Sequence, residues 1–310
     1  MTDHGEAEPE TESPLSLDTC RLAYNEARVP SMGFYAPLDV PAFGSEDLVQ
    51  LTVDYLTSQT HVLRAICDLG TWGARAPDLN ILLMAFISTP TALSVLGAQD
   101  PLFNETMMLA RPMFERAVNL CYSLVCDESD FLKIKDYTVR KAREQLSREF
   151  RAGDQVARMF LKSKLESEAP KQDVKKLRHL NQQWDNKIPE RLETIGQRSK
   201  ATIPLFLIYQ TAFYTDSSEA LHGSYYGMTC HLGIYEPRPE APDVKSFHIY
   251  FNKKRALLLW LSGELLKELI EVINREGACY DLADQAQNNS NVCEKIFLRA
   301  LHSSNLDSTT

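Results

Sequence analysis

The cysteines of this sequence follow neither a metal-site pattern nor a disulfide framework. There are seven among 310 residues, an odd number, and no two have the spacing of a CxxC motif. Zinc fingers and disulfide-stapled secreted domains both need closely spaced or paired cysteines. We therefore expect a reduced, cytoplasmic protein without a zinc finger.

Signals for secretion or membrane insertion are also missing. The first seventeen residues, MTDHGEAEPETESPLSL, have neither the basic start nor the apolar core of a signal peptide, and their acidic, Pro/Ser/Thr-rich composition is typical of disorder. The longest apolar stretch, residues 79–97, contains Pro90 and several hydroxyl side chains, and it is marginal against the roughly 20 apolar residues that a bilayer requires. It is predicted to be a buried helix or helix pair bent at Pro90, with no membrane contact.

The net charge of −9 is unevenly distributed along the chain. Residues 1–50 hold ten acidic and two basic residues, whereas residues 133–200 hold eighteen basic and ten acidic ones. An acidic chain argues against indiscriminate nucleic-acid binding, but a basic middle segment permits a local contact with an anionic partner. A solvated helical face is the alternative explanation. The candidate nucleic-acid contacts are Lys171, Lys175, Lys176 and Arg178.

Helical periodicity dominates the first half of the chain, and no repeat is evident. Ser45, followed by two acidic residues, is typical of a helix N-cap, and that helix should end near Gly70. Asp100 and Pro101 predict the start of a further helix, because aspartate caps a helix and proline fits its first turn. Apolar residues recur at helical spacing over residues 130–200, which predicts a helical hairpin with a strongly basic exposed side.

The second half of the chain has the same helical character. Phe247, Ile249 and Phe251 alternate with polar residues, which predicts a short extended segment over residues 244–252. A strong helix over 254–275 and a short final helix over 292–301 follow. Because strands do not alternate with helices, the predicted class is all-α, a multi-helix bundle with an inserted or projecting basic hairpin. The predicted organisation is a disordered acidic tail (1–17), one bundle domain (18–129 with 201–302), the hairpin (130–200) and a disordered tail (303–310).

Four polar residues share one face of the helix that follows Pro101. They are Arg111, Glu115, Asn119 and Tyr122, which are spaced four, four and three residues apart. At about 100° per residue they fall within roughly an 80° wedge, among neighbours that are largely apolar. An ion pair and an amide inside a core are costly unless they are partnered. The stripe therefore faces either a polar network or a pocket.

A second polar stripe follows about a hundred residues later. If residues 205–227 form one helix, residues at successive spacings of four share a face, with Glu219 near its edge. They are Tyr214, Ser218, His222 and Tyr226. Two polar stripes in one bundle are expected to face each other, because mutual hydrogen bonding satisfies both. The side chains expected to meet are Arg111, Glu115, Ser218, Glu219 and His222.

These two segments carry a family resemblance. The pattern R-x3-E-x3-N-x2-Y, followed by Y…S-E-x-x-H-G-S, is similar to that of a bacterial family, the domain of unknown function 5677. The resemblance covers about residues 45–265, and the basic hairpin is its least similar part. It implies an all-helical fold and a shared polar cluster, but no particular reaction. The matching positions are Arg111, Glu115, Asn119, Tyr122, Ser218, Glu219, His222 and Ser224.

One hypothesis for the cluster is a metal-independent ribonuclease, by distant analogy to the HEPN superfamily. Those helical proteins, often parts of defence or toxin systems, use an arginine and a histidine from one R-x4-6-H motif at a dimer interface. Here no arginine lies four to six residues before His222. Arg111 from another helix would stabilise the phosphorane charge, while His222 would serve as general acid and base. The candidate catalytic residues are Arg111, Glu115 and His222.

Metal and serine-nucleophile sites have weaker support. Glu219 and His222 form a single E-x-x-H pair, whereas helical di-iron carboxylate proteins use that spacing twice with two further glutamates. Neither a metal nor another cofactor is expected. No G-x-S-x-G elbow precedes Ser218 or Ser224, so a serine hydrolase is also not expected.

The favoured hypothesis is that the cluster is not catalytic. A buried polar network can fix the register of helices without adding much net stability. The protein would then be a binding or scaffold module, with a protein or RNA partner on the basic hairpin, and homodimerisation is a further option. A small ligand in the polar pocket is the remaining alternative. The network or ligand-binding residues would be Asn119, Tyr122, Tyr214, Ser218, Glu219, Ser224 and Tyr226.

Overall fold

The computed structural model describes residues 45–99, 102–135, 137, 187–199, 203–222, 224, 244–277 and 279–306. Within these ranges the chain is all-α, as predicted, and contains no strand. The helices are α1 (Ser45–Leu69), α2 (Ala76–Gly97), α3 (Phe103–Val125), α4 (Ile188–Ser199), α5 (Ile203–Tyr209), α6 (Thr215–His222), α7 (Val244–Gly277) and α8 (Tyr280–Leu306). A π-helical turn, Gln210–Tyr214, joins α5 to α6, and residues 128–135 are also helical.

The turn between α1 and α2 sets these helices side by side in opposite directions. α1 ends as predicted, at Gly70, whose φ of 64° lies in the left-handed region and whose N–H bonds to the Cys67 carbonyl at 3.1 Å. Trp72 is buried in the turn, and its indole N–H donates to the Asn80 side chain at 3.0 Å. Proline in the first turn of α2 then restarts the helix.

Helix α7 is the central element of the bundle, because it packs against α1, α3 and α8. Many of its apolar residues are fully or almost fully buried, among them Leu258, Leu259, Leu265, Leu266, Leu269 and Ile273. Two glycines allow close approach. Gly263 lies against the ring of Tyr55 on α1, and Gly277 lies against the carbonyl of Trp72. The core therefore joins the first helix of the bundle to the seventh.

Two helices continue through an internal proline. α2 is a single helix across Pro90 rather than a helix pair, and α3 likewise contains Pro112. Proline removes one N–H donor and crowds the carbonyl four residues before it. In α2 the proline itself is buried beside Ile87 and Leu93, so tertiary packing holds the helix together across the missing bond.

Three boundaries differ from those predicted. Residues 244–252 are not extended, because α7 begins at Val244; the spacing of Phe247 and Phe251 fits one helical turn as well as it fits alternation, and no proline or glycine separates them from the rest of α7. α8 is longer than the short final helix expected, and it runs to Leu306, into the segment predicted to be a disordered tail. Residues 205–227 are not one helix, because the π turn interrupts them and α6 ends at His222.

Only the two ends of the predicted basic hairpin are described. α4 packs against α3 and buries Leu192 and Ile195, so this end of the segment lies in the bundle. Residues 138–186, which include the candidate nucleic-acid contacts Lys171, Lys175, Lys176 and Arg178, lie outside the described residues, as does the predicted tail over 1–17.

Candidate functional site

The polar side chains of α3 form hydrogen bonds with three different later segments of the chain. Arg111 donates to Ser218 of α6, and Asn119 accepts a hydrogen bond from Arg191 of α4. Tyr122 is buried and donates to Asp130, in the helical residues 128–135, at 3.2 Å. Hydrogen bonds from one face of α3 therefore hold three later segments of the chain against the bundle.

The part of the stripe nearest α6 forms a compact group that we call the Arg111 cluster, consisting of Arg111, Glu115, Tyr214 and Ser218. Arg111 Nε donates to Glu115 Oε1 at 3.0 Å, and Arg111 Nη1 donates to Ser218 Oγ at 2.6 Å. The Tyr214 hydroxyl donates to the same Glu115 oxygen at 2.8 Å. The Arg111 guanidinium also lies 5.2 Å from the centre of the Tyr214 ring, within cation–π range.

The π turn positions Tyr214 in this cluster. π-helical turns are rare and occur frequently at functional sites. On its buried side, Phe114 of α3 stacks on Tyr209 with ring centres 5.8 Å apart and meets the edge of the Tyr214 ring at 5.6 Å. These aromatic contacts fix the turn against α3. Tyr214 and Ser218, one helical turn apart, then reach Glu115 and Arg111.

The cluster is partly open to solvent. Arg111 and Glu115 expose 26% and 36% of their side-chain surfaces. Hydrogen bonding to Glu115 is the largest cause of the raised pKa of Arg111, which stays a cation. Partial burial, followed by the bond to Glu115, raises the pKa of Tyr214, so its hydroxyl stays protonated and remains a donor. The cluster thus presents a guanidinium, a carboxylate and two hydroxyls in fixed positions.

Glu219, His222 and Ser224 follow the Arg111 cluster in the chain and are not members of it. Glu219 and Ser224 are bonded to each other, whereas the side chain of His222 is exposed. Glu219 accepts a hydrogen bond from the Ser224 hydroxyl at 2.7 Å, which closes the end of α6. His222 is exposed, one turn after Ser218. Of the five side chains expected to meet, Arg111 bonds to Glu115 and to Ser218. Tyr214, which was not in that set, bonds to Glu115. Tyr226 lies outside the described residues.

No metal site is evident in the described part of the chain, where no three His, Cys, Asp or Glu side chains converge. Glu219, one half of the E-x-x-H pair, is bound to Ser224.

A second polar group, which sequence reasoning missed, is sealed inside the bundle. We call it the Glu264 network. Glu264 of α7, only 4% exposed, accepts hydrogen bonds at one oxygen from Tyr55 and Ser290, both at 2.6 Å, and its other oxygen pairs with Lys267 at 2.7 Å. Gln59 donates to the Tyr55 hydroxyl at 3.0 Å. The sequence contained two patterns that could have indicated this network. Tyr55 and Gln59 lie four residues apart in α1, and Glu264 and Glu268 lie four residues apart among the leucines of α7.

The basic residues of α4 are engaged within the molecule. Arg198 makes a two-pronged contact with Asp127, at 2.6 and 2.8 Å. The hydrogen bond from Arg198 lowers the pKa of the Asp127 carboxyl. With Arg191 bound to Asn119, both arginines of this helix hold α4 against α3.

One helix in the described part of the chain, Ala76–Gly97, is long and apolar enough to cross a membrane by length and composition. In its most apolar window, 44% of the residues are buried inside the protein. A core helix of a soluble bundle meets the same criteria.

Comparison with known proteins identifies a family. The model of a family of unknown function (DUF5677) matches residues 79–238, just over half of the chain. The matched range runs from α2 across the Arg111 cluster and includes every residue of the two polar stripes. No curated protein and no solved structure matches the chain.

Proposed function

The chain belongs to the family of unknown function DUF5677, so its activity has to be inferred from the site, and we propose that it is a binding module whose ligand site is the open side of the Arg111 cluster. This proposal depends on the contrast between the two polar groups. The Glu264 network is sealed, and its carboxylate is bonded at both oxygens by Tyr55, Ser290 and Lys267, as expected of a group that fixes helix register. The Arg111 cluster is preorganised in the same way, yet a quarter to a third of its ion pair faces solvent.

The chemistry of the cluster defines the ligand. A guanidinium has five N–H donors, of which the cluster uses one on Nε and one on Nη1. The Ser218 oxygen accepts from Arg111, so its own O–H is free to donate to a ligand. Glu115 uses Oε1 for both of its bonds, which leaves Oε2 as an acceptor. A ligand with a carboxylate or phosphate for Arg111 and Ser218, and an amino or hydroxyl donor for Glu115, fits these groups.

A screen with matched variants tests the proposal. Amino acids, sugar phosphates and nucleotides would be tested by thermal shift on the full chain, and each hit measured by calorimetry. Tyr214→Phe and Tyr55→Phe both remove one hydroxyl that donates to a glutamate, but only Tyr214 lies in the open cluster. We expect the affinity of a hit to fall about fivefold or more in Tyr214→Phe and to stay unchanged in Tyr55→Phe. Equal affinity in both variants contradicts the proposal.

The alternative function is the metal-independent ribonuclease, and one observation favours keeping it. His222 is exposed and follows Ser218 by one turn of α6, and Ser218 is the residue that Arg111 contacts. A general acid–base and a cation would therefore lie within about one helical turn of each other. The basic segment over residues 133–200 would hold the RNA.

Total cellular RNA with EDTA throughout separates the two functions. If the protein is a ribonuclease, the wild type cleaves the RNA, His222→Ala does not, and the control His61→Ala still does. Absence of cleavage by the wild type, or cleavage that survives His222→Ala, rejects the ribonuclease and leaves the binding module.

We also propose a reducing compartment, the cytoplasm, as the location of the protein. The five cysteines in the described ranges are buried and none of them forms a disulfide there, which supports this location.

A further inference from the structure

Helix α2 carries an apolar stripe along its outer side. Ile81 is 70% exposed, Met84 61% and Val95 60%. With Ser88 and Ala92 between them, these residues are spaced three, four, four and three apart, and at about 100° per residue they lie within one face of the helix. We call this face the α2 stripe. An exposed apolar face of this length on a soluble bundle is typical of an interaction surface.

The α2 stripe is not suited to a lipid surface. Residues 79–99 contain no charged side chain, and the residue that flanks them in the first turn is the acidic Asp78. Interfacial helices typically carry Lys or Arg on a polar face to bind anionic lipid headgroups. Here the opposite face of α2 is packed into the bundle instead, with Leu83, Phe86 and Leu93 buried.

The spacing of the stripe is the same read in either direction from Ser88. In an antiparallel pair of identical helices related by a two-fold axis at Ser88, a residue n positions after Ser88 faces the residue n positions before it in the other copy. Ile81 then faces Val95, and the large Met84 faces the small Ala92. Large side chains opposite small ones allow two helices to pack closely. The stripe itself carries no charged side chain that would have to leave water.

A pocket beside the stripe supplies the matching cavity. It has a volume of about 150 Å³ and lies between α1 and α2. It is lined on the α1 side by Thr57, Thr60, His61 and Arg64, and on the α2 side by Thr91, Ser94 and Val95. The hydroxyls of Thr60, Thr91 and Ser94 all donate to carbonyls of their own helices. These three hydroxyls therefore make little demand for a polar ligand. Arg64 is exposed, so its charged end stays in water while its stem lines the pocket. The remaining space suits an apolar side chain.

Met84 is positioned to fill this pocket in a second copy. It lies seven residues before Thr91, almost in line with it along the helix, and so on the edge of the stripe that faces α1. The two-fold axis at Ser88 carries Met84 of one copy to the level of Ala92 in the other, between Thr91 and Val95. A flexible thioether side chain fits an irregular apolar cavity well. Each copy contributes one such side chain and one such pocket.

From these observations we propose that the α2 stripe is the interface of a two-fold homodimer, with the axis at Ser88 and Met84 of each copy in the α1–α2 pocket of the other. The stripe runs about 21 Å along a helix about 10–12 Å wide, and with the pocket walls the two copies bury less than about 1,000 Å² in total, the size of a weak, reversible interface. The dimer is therefore reversible. It involves no residue of the Arg111 cluster and does not depend on the function proposed above.

The test uses the full chain in sedimentation velocity across roughly 1–100 μM. The wild type is expected to pass from the 35.1 kDa monomer to twice that mass. Ser88→Arg places two like charges together at the axis and should raise the dissociation constant about tenfold or more. Ser129→Arg is the matched control, because Ser129 is also an exposed helical serine but lies outside the stripe.

A disulfide gives an independent result. Two small residues facing each other across a close helix pair lie within disulfide reach. Ser88→Cys should therefore form a covalent dimer on mild oxidation, faster than Ser129→Cys and than the wild type with its native thiols.

Three results overturn the proposal. They are a wild type that stays monomeric throughout, self-association that Ser88→Arg does not weaken, and cross-linking of Ser88→Cys no faster than the controls. A monomer that floats with phosphatidylcholine–phosphatidylglycerol vesicles overturns it as well and assigns the stripe to a membrane.

Discussion

Tyr55 and Tyr214 make the same bond, from a hydroxyl to a glutamate, in opposite surroundings. Tyr55 is fully buried, whereas Tyr214 binds a glutamate that exposes 36% of its side chain. Tyr55→Phe leaves the buried Glu264 short of a donor and should lower the free energy of unfolding by about 1–3 kcal/mol. Tyr214→Phe should cost less than about 1 kcal/mol, because water replaces the lost donor. Urea denaturation of both variants measures the difference, and equal losses would mean that the Arg111 cluster is as sealed as the Glu264 network.

The Arg111–Glu115 pair leads to a related prediction. If it were fully buried, removing one partner would typically cost about 3–5 kcal/mol. Its partial exposure predicts that Arg111→Ala lowers the free energy of unfolding by about 1 kcal/mol or less, while ligand binding is lost. A fall of several kcal/mol in urea denaturation would instead assign the cluster a structural role.

His61 should make stability depend on pH. Partial burial, followed by the neighbouring Arg64, lowers the pKa of His61 from its ordinary value of 6.5. Below that value the unfolded chain takes up a proton that the folded chain resists, so the folded state loses stability as the pH falls. The urea midpoint should be lower at about pH 5.5 than at about pH 7.5, and His61→Gln should reduce the difference. A difference that His61→Gln leaves unchanged would assign the effect to other groups.

Among individual residues, the sequence predicted the polar residues of the Arg111 cluster but not those of the Glu264 network. The four-residue spacing of Arg111, Glu115 and Asn119 was visible against apolar neighbours, and so was that of Tyr214 and Ser218. The four-residue spacing of Glu264 and Glu268 was a weaker signal, since glutamates between leucines are ordinary on any amphipathic helix. Only the approach of α1 and α8 makes it a buried acceptor.

At the level of the elements, two glycines at helix contacts differ in what surrounds them. An added Cβ at Gly263 would lie 2.4 Å from the ring of Tyr55, which is buried and tied to Glu264. An added Cβ at Gly97 would lie 2.6 Å from a terminal methyl of Leu259, which can turn aside. Gly263→Ala should therefore cost about 1–3 kcal/mol in urea denaturation, and Gly97→Ala less than about 1 kcal/mol. The opposite order would show that the Tyr55 ring moves freely.

Element type was easier to predict from the sequence than element boundaries. The all-α class and the ends of α1 follow from periodicity and capping, which are local properties. The start of α7 was missed because two aromatic residues four apart satisfy both a helix and an alternating strand. The π turn at Gln210–Tyr214 could not be predicted, because it results from packing against Phe114 rather than from local preference.

For the whole molecule, burial should protect the thiols in the described ranges. Burial raises the pKa of Cys67, Cys126 and Cys279, and Cys121 and Cys293 have no exposed surface. Brief treatment of the native protein with iodoacetamide should leave these residues unmodified, because the thiolate is the reactive form. Mass spectrometry of the digested protein, with a urea-unfolded control, identifies each site. Labelling of Cys121 or Cys293 at the same rate in both samples would mean that the bundle opens readily.

The closure of the core by α7 also determines when this chain can fold during synthesis. The bond from Tyr55 to Glu264 joins residues 209 positions apart, and that from Gln59 to the Ala286 carbonyl joins residues 227 apart. While the ribosome makes the residues in between, the buried face of α1 has no α7 to cover it. Such long-range closure slows folding and leaves apolar surface exposed on the nascent chain. The growing polypeptide therefore keeps the apolar face of α1 uncovered until its last third has been made.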